Sequence, residues 1–331
     1  MTDRPEPPRE QDFAVAAADL ARLRGALAGA IVGQETLIEQ LLTGVLAGGH
    51  VLLEGLPGLG KTHLVKALAG ALGLDLARVQ CTPDLMPGDI TGSELLTREG
   101  DGRQRLEFRP GPVFANLVLV DEINRATPKT QAALLEAMQE GQVTQAGQRH
   151  PLPRPFWVVA TQNPIEVEGT YPLPEAQLDR FLLKLNVDYP DAAGLLAMLA
   201  VSLDEEPADN LTQVLTPEAV DRLMALARCV VIAEPLKRAA VDLVLSTHPG
   251  TSEVARRFRY GASPRALQAL LRSARVQALM AGRAHLSPAD LTRVALPCLR
   301  HRVLLTIEAE LAGDRADTLL GSIVERWRGC L

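Results

Sequence analysis

The sequence predicts an α/β domain built on a parallel sheet, followed by a smaller helical domain. Three observations predict it. A short apolar run, His50-Val-Leu-Leu-Glu54, passes through a glycine-rich turn into a helix-compatible stretch from Lys61 to Leu72, the unit that opens parallel sheets. Four more apolar runs follow at Leu76–Gln80, Leu117–Val120, Phe156–Ala160 and Phe181–Val187, the look of strands covered on both faces. After Tyr189-Pro190 such runs stop and helical sequence dominates to the end.

Taken in order, the polar, proline-rich start Met1-Thr-Asp-Arg-Pro-Glu-Pro-Pro-Arg-Glu10 reads as a flexible tail over residues 1–12 and is unlike a signal peptide. Phe13 to Gly29, rich in Ala and Leu, suits a helix, and Gly33-Gln34-Glu35 opens a second one running to Leu46. Between the second and third apolar runs, Met86 to Pro112 is rich in Gly and polar residues and reads as an inserted hairpin or loop. Gln142–Gln148, ahead of Pro151, reads as another hairpin, and Asp204-Glu-Glu-Pro-Ala-Asp-Asn210 as a linker or exposed loop. Thr216-Pro217-Glu218 and Ser287-Pro288-Ala289-Asp290 each place a capping residue before a proline at a first helical position. The expected division is a tail over 1–12, an α/β domain over 13–200 and a helical domain over 201–331.

With 47% hydrophobic and 22% charged residues in 331, the chain is globular rather than disordered. Aromatics make up only 3%, so Leu, Ala and Val must build the core. The net charge of −6 argues against broad non-specific nucleic-acid binding, which runs on phosphate neutralisation. The charge is uneven: residues 1–215 hold 29 acids and 17 bases, residues 216–331 hold 11 acids and 17 bases. Cys81, Cys229, Cys298 and Cys330 are scattered without a CxxC pair, and the histidines form no HExxH group, which speaks against a disulfide framework or zinc site. No apolar run reaches the roughly eighteen residues of a membrane span, so no membrane insertion is expected and the cytoplasm is the default compartment.

Gly55-Leu-Pro57-Gly58-Leu59-Gly60-Lys61-Thr62 fits the G-x-x-x-x-G-K-T phosphate loop, in the required place between strand and helix. Its glycines let the backbone curl so that amides point at phosphate oxygens. Lys61 would reach the β- and γ-phosphates and Thr62 would hold Mg²⁺. Leu117-Val-Leu-Val-Asp121-Glu122 is an apolar strand ending in two carboxylates, delivered to the sheet edge where such folds bind ligands. Asp121 would accept a bond from Mg²⁺-bound water, and Glu122 would polarise a water for attack on the γ-phosphate; a strand simply meeting solvent is the plain alternative. Ala160-Thr-Gln-Asn163-Pro164 closes the next strand with polar amides. Asn163 would orient the attacking water or contact the γ-phosphate, although Asn-Pro alone is a turn signal. In Leu178-Asp-Arg180-Phe181 the cation would meet its own sheet or a nucleotide on a neighbouring subunit. Gly261-Ala-Ser-Pro-Arg265 puts an arginine in a first helical turn, where cations are mildly unfavourable, so either a functional reason or a solvated surface fits. Arg256-Arg-Phe-Arg-Tyr260 reads as a basic interface loop rather than a nucleic-acid patch. Trp157 and Trp327 read as packing residues.

This order of motifs resembles the AAA+ ATPases. Phe108-Arg-Pro-Gly-Pro-Val-Phe114, Asp121-Glu-Ile-Asn-Arg-Ala126 and Gly169-Thr-Tyr-Pro-Leu-Pro-Glu-Ala-Gln-Leu-Asp-Arg-Phe181 are similar to the MoxR family in particular, over residues 15–310. The resemblance implies a P-loop AAA+ core with a central parallel sheet and an all-α lid, using ATP and Mg²⁺. It makes Met86–Pro112 the helix-2 insert and Gln142–Gln148 the hairpin before sensor 1. Lys61 and Thr62 match the Walker A pair, Asp121 and Glu122 match Walker B, Asn163 sensor 1, Arg265 sensor 2 and Arg180 the arginine finger acting in trans. Val32-Gly33 resembles the stretch near the adenine. His63, directly after Thr62, is less usual and reads as helix surface or packing. Arg300-His301-Arg302 resembles a late stretch of the MoxR lid without a stated role. The family implies a ring, usually a homohexamer, acting as a chaperone-like helper of protein clients, often partners with a von Willebrand factor A domain. A metal-chelatase motor subunit shares the insert-bearing architecture. A nucleic-acid motor would bring a basic binding module, for which the sequence after the lid offers no room, so nucleic acid is not an expected partner.

Overall fold

The apolar runs pair into a single parallel sheet in a computed structural model, which describes residues 8–98, 104–165, 169–189, 192, 194–196 and 211–330. Helices α1 (Glu10–Ala30) and α2 (Glu35–Leu46) precede β1 (Val51–Gly55), and α3 (Lys61–Leu72) leads to β2 (Leu76–Gln80). A short α4 (Pro87–Thr91) and the hairpin β3 (Gly92–Arg98) with β4 (Gln104–Pro110) intervene before β5 (Leu117–Asp121). Next come α5 (Pro128–Glu140), the hairpin β6 (Gln142–Gln145) with β7 (Gln148–Pro151), β8 (Trp157–Gln162), α6 (Glu175–Leu178) and β9 (Leu183–Val187). The sheet runs β2-β5-β8-β1-β9 with every pairing parallel. All five carboxyl ends therefore share one edge, the place where α/β sheets carry their ligand sites.

Local chemistry sets the ends of these elements. Gly60 and Gly73 flank α3 at φ 75° and 61°, left-handed conformations that suit glycine and interrupt a helix. The Thr127 side chain accepts from the Thr130 amide with Pro128 at the first helical position, and Gly141 at φ 62° ends α5. Helix α1 begins at Glu10, inside the expected tail. Asp12 accepts from the Arg9 amide at 2.7 Å, and Glu10 and Asp12 place negative charge in the first turn, where the helix dipole favours it.

The second half contains α7 (Pro217–Cys229), α8 (Glu234–Leu245), β10 (Phe258–Tyr260), α9 (Pro264–Met280), α10 (Pro288–Leu299), β11 (Leu304–Leu305), α11 (Ile307–Leu311) and α12 (Ala316–Arg328). Thr216 caps α7 through the Ala219 amide, and Asp290 accepts from the Ser287 amide at 2.7 Å at the start of α10. The lid is not wholly helical. Phe258 pairs antiparallel with Leu305, and Tyr260 with Leu304, because Phe258 anchors in the core while Arg259 and Tyr260 are exposed. The expected linker at 204–210 and the boundary at 200/201 lie outside the described residues, as does the tip of the first hairpin at 99–103.

One hydrophobic cluster runs from α1, α2 and α3 across one sheet face and on into the lid, through Leu20, Leu41, Leu64 and Leu183 to Leu270 and Leu291. A second lies on the other face, where Val120, Leu134, Val158 and Phe181 pack together. Both tryptophans are packing residues, and their indole N–H groups donate to Val45 O and Ala239 O at 2.9 and 2.8 Å, as buried indoles require. The lid thus shares a core with the sheet domain, and its position is tied to the strand edge that carries the site.

Candidate nucleotide site

β1 ends at Gly55, where an added Cβ would lie 2.6 Å from Val187 O on β9, so only glycine fits between the strands. The chain then curls through Gly58 at φ 80° and Gly60 at φ 75° with open space around both. Leu59 is buried and pins the loop to the core, while Leu56 and Pro57 are exposed. No side chain caps α3, so its first amides are available to an anion in the loop. The Lys61 ammonium folds back to donate to Gly55 O. Partial burial lowers the Lys61 pKa below the ordinary lysine value, while Asp121, Glu122 and Glu54 pull it upward. His63 lies in the first turn of α3, partly buried.

Two strands away, β5 brings Asp121 and Glu122 to the same edge. Asp121 is only 6% exposed, and its Oδ2 lies 3.5 Å from Thr62 Oγ1, which spans 59 residues of sequence. Thr161 on β8 joins the pair: its hydroxyl lies 3.3 Å from Asp121 Oδ1 and accepts from the Glu122 amide at 2.9 Å. A hydroxyl facing a buried carboxylate beside a phosphate loop suits Mg²⁺, which takes few protein ligands and completes its shell with water and phosphate oxygens. Among the described residues no cluster of three or more His, Cys, Asp or Glu forms an all-protein cage.

Asn163 follows β8 between the two motifs, nearly buried, and its Oδ1 accepts from the Ile165 amide at 3.2 Å. It therefore makes the Asn-Pro turn as well as standing at the sheet edge. Val32 and Gly33 line a cleft of about 1000 Å³ between α2, β9 and the start of α12, walled also by Asn186, Tyr189, Asp317 and Thr318. Gln34 bridges that cleft to the phosphate loop, donating to Leu59 O at 3.3 Å. Arg265, half-exposed in the first turn of α9, sits 3.5 Å from Asp179. Arg180 lies elsewhere. Its guanidinium donates to Leu135 O on α5 at 2.8 Å and lines a separate cleft with Glu136, Gln139 and Glu140. The structure brings together the loop, both acids and Asn163; Arg265 faces Asp179, and Arg180 stands apart.

Four residues of the site carry no role in the motif reading. Arg78 Nε pairs with Asp121 at 2.7 Å, and Arg78 also donates to Gln80 at 3.1 Å. Gln80 in turn donates to Glu122 at 3.3 Å, and Arg125 pairs with the same carboxylate at 3.1 Å. Thr161 is the fourth. The alternation in Leu76-Ala-Arg-Val-Gln80 is the signal for two of them, since polar residues two apart share one strand face.

A P-loop, an acid pair two strands away on the same sheet edge and a helical lid that shares its core with the sheet domain define an AAA+ ATPase. The comparisons agree. Residues 50–183 match the ATPase family associated with various cellular activities, and residues 251–322 match the AAA lid domain. The chaperone MoxR1 of Mycobacterium tuberculosis is 43% identical over 286 residues, covering 84% of this chain and 74% of its own. YeaC of Bacillus subtilis is 42% identical with 89% of each chain covered, and protein MoxR of Paracoccus denitrificans is 35% identical over 91% and 92%. A crystal structure from Cytophaga hutchinsonii superposes with a TM-score of 0.87 at 37% identity over 96% of each chain. The chain belongs to the MoxR family of AAA+ ATPases. Among the described residues no helix is long and apolar enough to cross a membrane.

Proposed function

We propose that this ATPase is Mg²⁺-dependent, works as a six-membered ring, and uses ATP turnover to remodel or activate a protein client, with a von Willebrand factor A domain partner as the first to test. The observation that carries the catalytic part is the meeting of Lys61, Thr62, Asp121 and Glu122 at one sheet edge beside an uncapped helix start. In this reading Thr62 and Asp121 would hold Mg²⁺, which would supply positive charge beside the phosphate oxygens. Lys61 and the loop amides bind phosphate, and Val32 and Gly33 border the base. Glu122 takes a proton from water, and the Asn163 amide and Arg265 address the γ-phosphate.

Arg180 serves a neighbouring subunit in this proposal. Its cleft shares no lining residue with the one beside Val32 and Gly33, and its Nε is buried with no acceptor among the described residues. A guanidinium supplied across an interface stabilises charge on the γ-phosphoryl oxygens, an effect of about 10³–10⁵ in rate in other NTPases.

Three variants test the scheme. Lys61→Ala should abolish nucleotide binding, measured with a fluorescent ATP analogue. Glu122→Gln should bind ATP and not turn it over; wild-type hydrolysis would remove Glu122 as the base. Mixing inactive Arg180→Ala with inactive Glu122→Gln subunits should restore hydrolysis, and no recovery in verified mixed rings would end the trans assignment. The chaperone name of MoxR1 supports the client part, and a pull-down on Glu122→Gln loaded with ATP would test it.

A further inference from the structure

Arg302 is a buried arginine that the nucleotide chemistry does not use. Its side chain is only 2% exposed and pairs with Asp179 at 2.8 Å. The same guanidinium donates to the carbonyls of Asp179, Phe181 and Leu182 at 3.3, 2.6 and 3.0 Å, and to Cys298 O. One fork from the lid thus holds the backbone on both sides of Arg180. The neighbouring His301 ring adds a contact to Phe181 O at 3.0 Å.

Asp179 is the other half of the clamp. Besides Arg302, it accepts from the Ser263 hydroxyl at 3.0 Å through both oxygens and faces Arg265 at 3.5 Å. Ser263 and Arg265 belong to the start of α9, whereas Asp179 immediately precedes Arg180. A single carboxylate therefore joins the lid helix that carries Arg265 to the turn that carries Arg180. On its other side Arg180 rests on α5 through Leu135 O. The turn is held between lid and α5, and any lid displacement must move it or break the clamp.

We propose that Arg302 and Asp179 are positioning residues for Arg180, so that the lid of one subunit sets the guanidinium offered to the next. This rests on the trans reading of Arg180 given above. It gives Arg300-His301-Arg302 a use: Arg302 orients the finger turn, while Arg300 fastens the lid to β9 through Lys184 O at 3.4 Å and is itself held within the lid by Asp317 at 3.1 Å.

Mixed rings separate positioning from simple stability. Glu122→Gln subunits supply the finger and Arg180→Ala subunits supply the working site. Arg302→Gln placed in the finger-supplying subunit should lower the recovered hydrolysis about tenfold to hundredfold, the scale of a small misplacement of a catalytic group. Placed in the Arg180→Ala subunit it should have less than about a twofold effect, since that turn no longer carries a finger. Equal loss in both placements, or no loss in the first, overturns the proposal. If Arg302→Gln does not assemble, Asp179→Asn in the finger-supplying subunit is the second variant, and undiminished recovery with it overturns the proposal equally. The unmodified mixture is the control: recovery there with no effect of either variant sinks only the clamp, whereas no recovery there sinks the trans reading and the clamp with it.

Discussion

Glu122 holds a left-handed backbone at φ 56° and ψ 53°, a conformation that costs a residue other than glycine about 1–2 kcal/mol. Its amide donates to Thr161, and its carbonyl accepts from the Arg125 amide at 2.8 Å. The kink turns the carboxylate from the strand line toward Gln80 and Arg125, so local strain re-aims the proposed base. His50 shows a different residue-scale device. Half-buried between α5 and β8, its Nδ1 accepts from the Val158 amide at 2.9 Å, which leaves Nε2–H to donate to Met138 O at 3.1 Å. Burial pulls its pKa down to about 4. The unfolded chain takes up a proton below the ordinary histidine value and the folded chain does not. His50 therefore contributes full stability above about pH 6.5 and loses it as pH falls toward 4, up to about 3 kcal/mol. Burial lowers the His301 pKa in the same direction. The thermal midpoint should fall between about pH 7 and pH 5, and His50→Gln should flatten that slope; a slope unchanged in the variant would refute the account.

At the scale of elements, the central strands β1, β5 and β8 were legible because both faces are covered and their apolar runs are nearly unbroken, and the edge strands β2 and β9 because apolar residues still recur along them between polar ones. The phosphate loop was legible because its glycines and lysine are adjacent in sequence. What escaped depends on distant pairs or very short segments. Strand β11 has only two residues and gains meaning from β10, more than 40 residues earlier. Arg302 meets Asp179 across 123 positions, a contact that no local pattern encodes. The two inserted hairpins form a third such pair. Phe108 on β4 stacks on His150 on β7 with ring centroids 4.0 Å apart at 19°, and Phe114 packs edge-on against Phe108 at 5.6 Å. Such stacks add about 0.5–1.5 kcal/mol beyond buried area, enough to make the hairpins move together. Phe108→Ala should therefore raise amide hydrogen exchange in residues 142–151 while leaving ATP affinity unchanged. Unaltered exchange there would show that the hairpins are held independently.

For the whole molecule, the acidic first part and basic second part suggest unlike faces meeting head to tail in a ring, but the structure uses part of that basic excess within the chain. Arg302 and Arg300 fasten the lid to the sheet domain, Arg283 is paired with Asp290 at 2.6 Å, and Arg272 donates to Ala47 O and Gly48 O at 2.6 and 2.8 Å. Cations exposed at the lid surface include Arg256, Arg259 and Arg293. Arg256 pairs with exposed Glu253, and Arg259 lies 5.3 Å from the centre of the exposed Tyr260 ring. Exposed pairs are worth little and are screened by salt, whereas the buried clamp is screened much less. The two populations should separate under ionic strength. Raising salt from about 50 mM to about 500 mM should weaken assembly, read as mass by light scattering, while far-ultraviolet dichroism and the thermal midpoint of the single chain hold steady. Arg256→Glu with Arg259→Glu should reproduce the weakened assembly at low salt. If assembly ignores both salt and the double variant, the basic lid surface does not form the ring contact, and the arginine excess acts mainly within each chain.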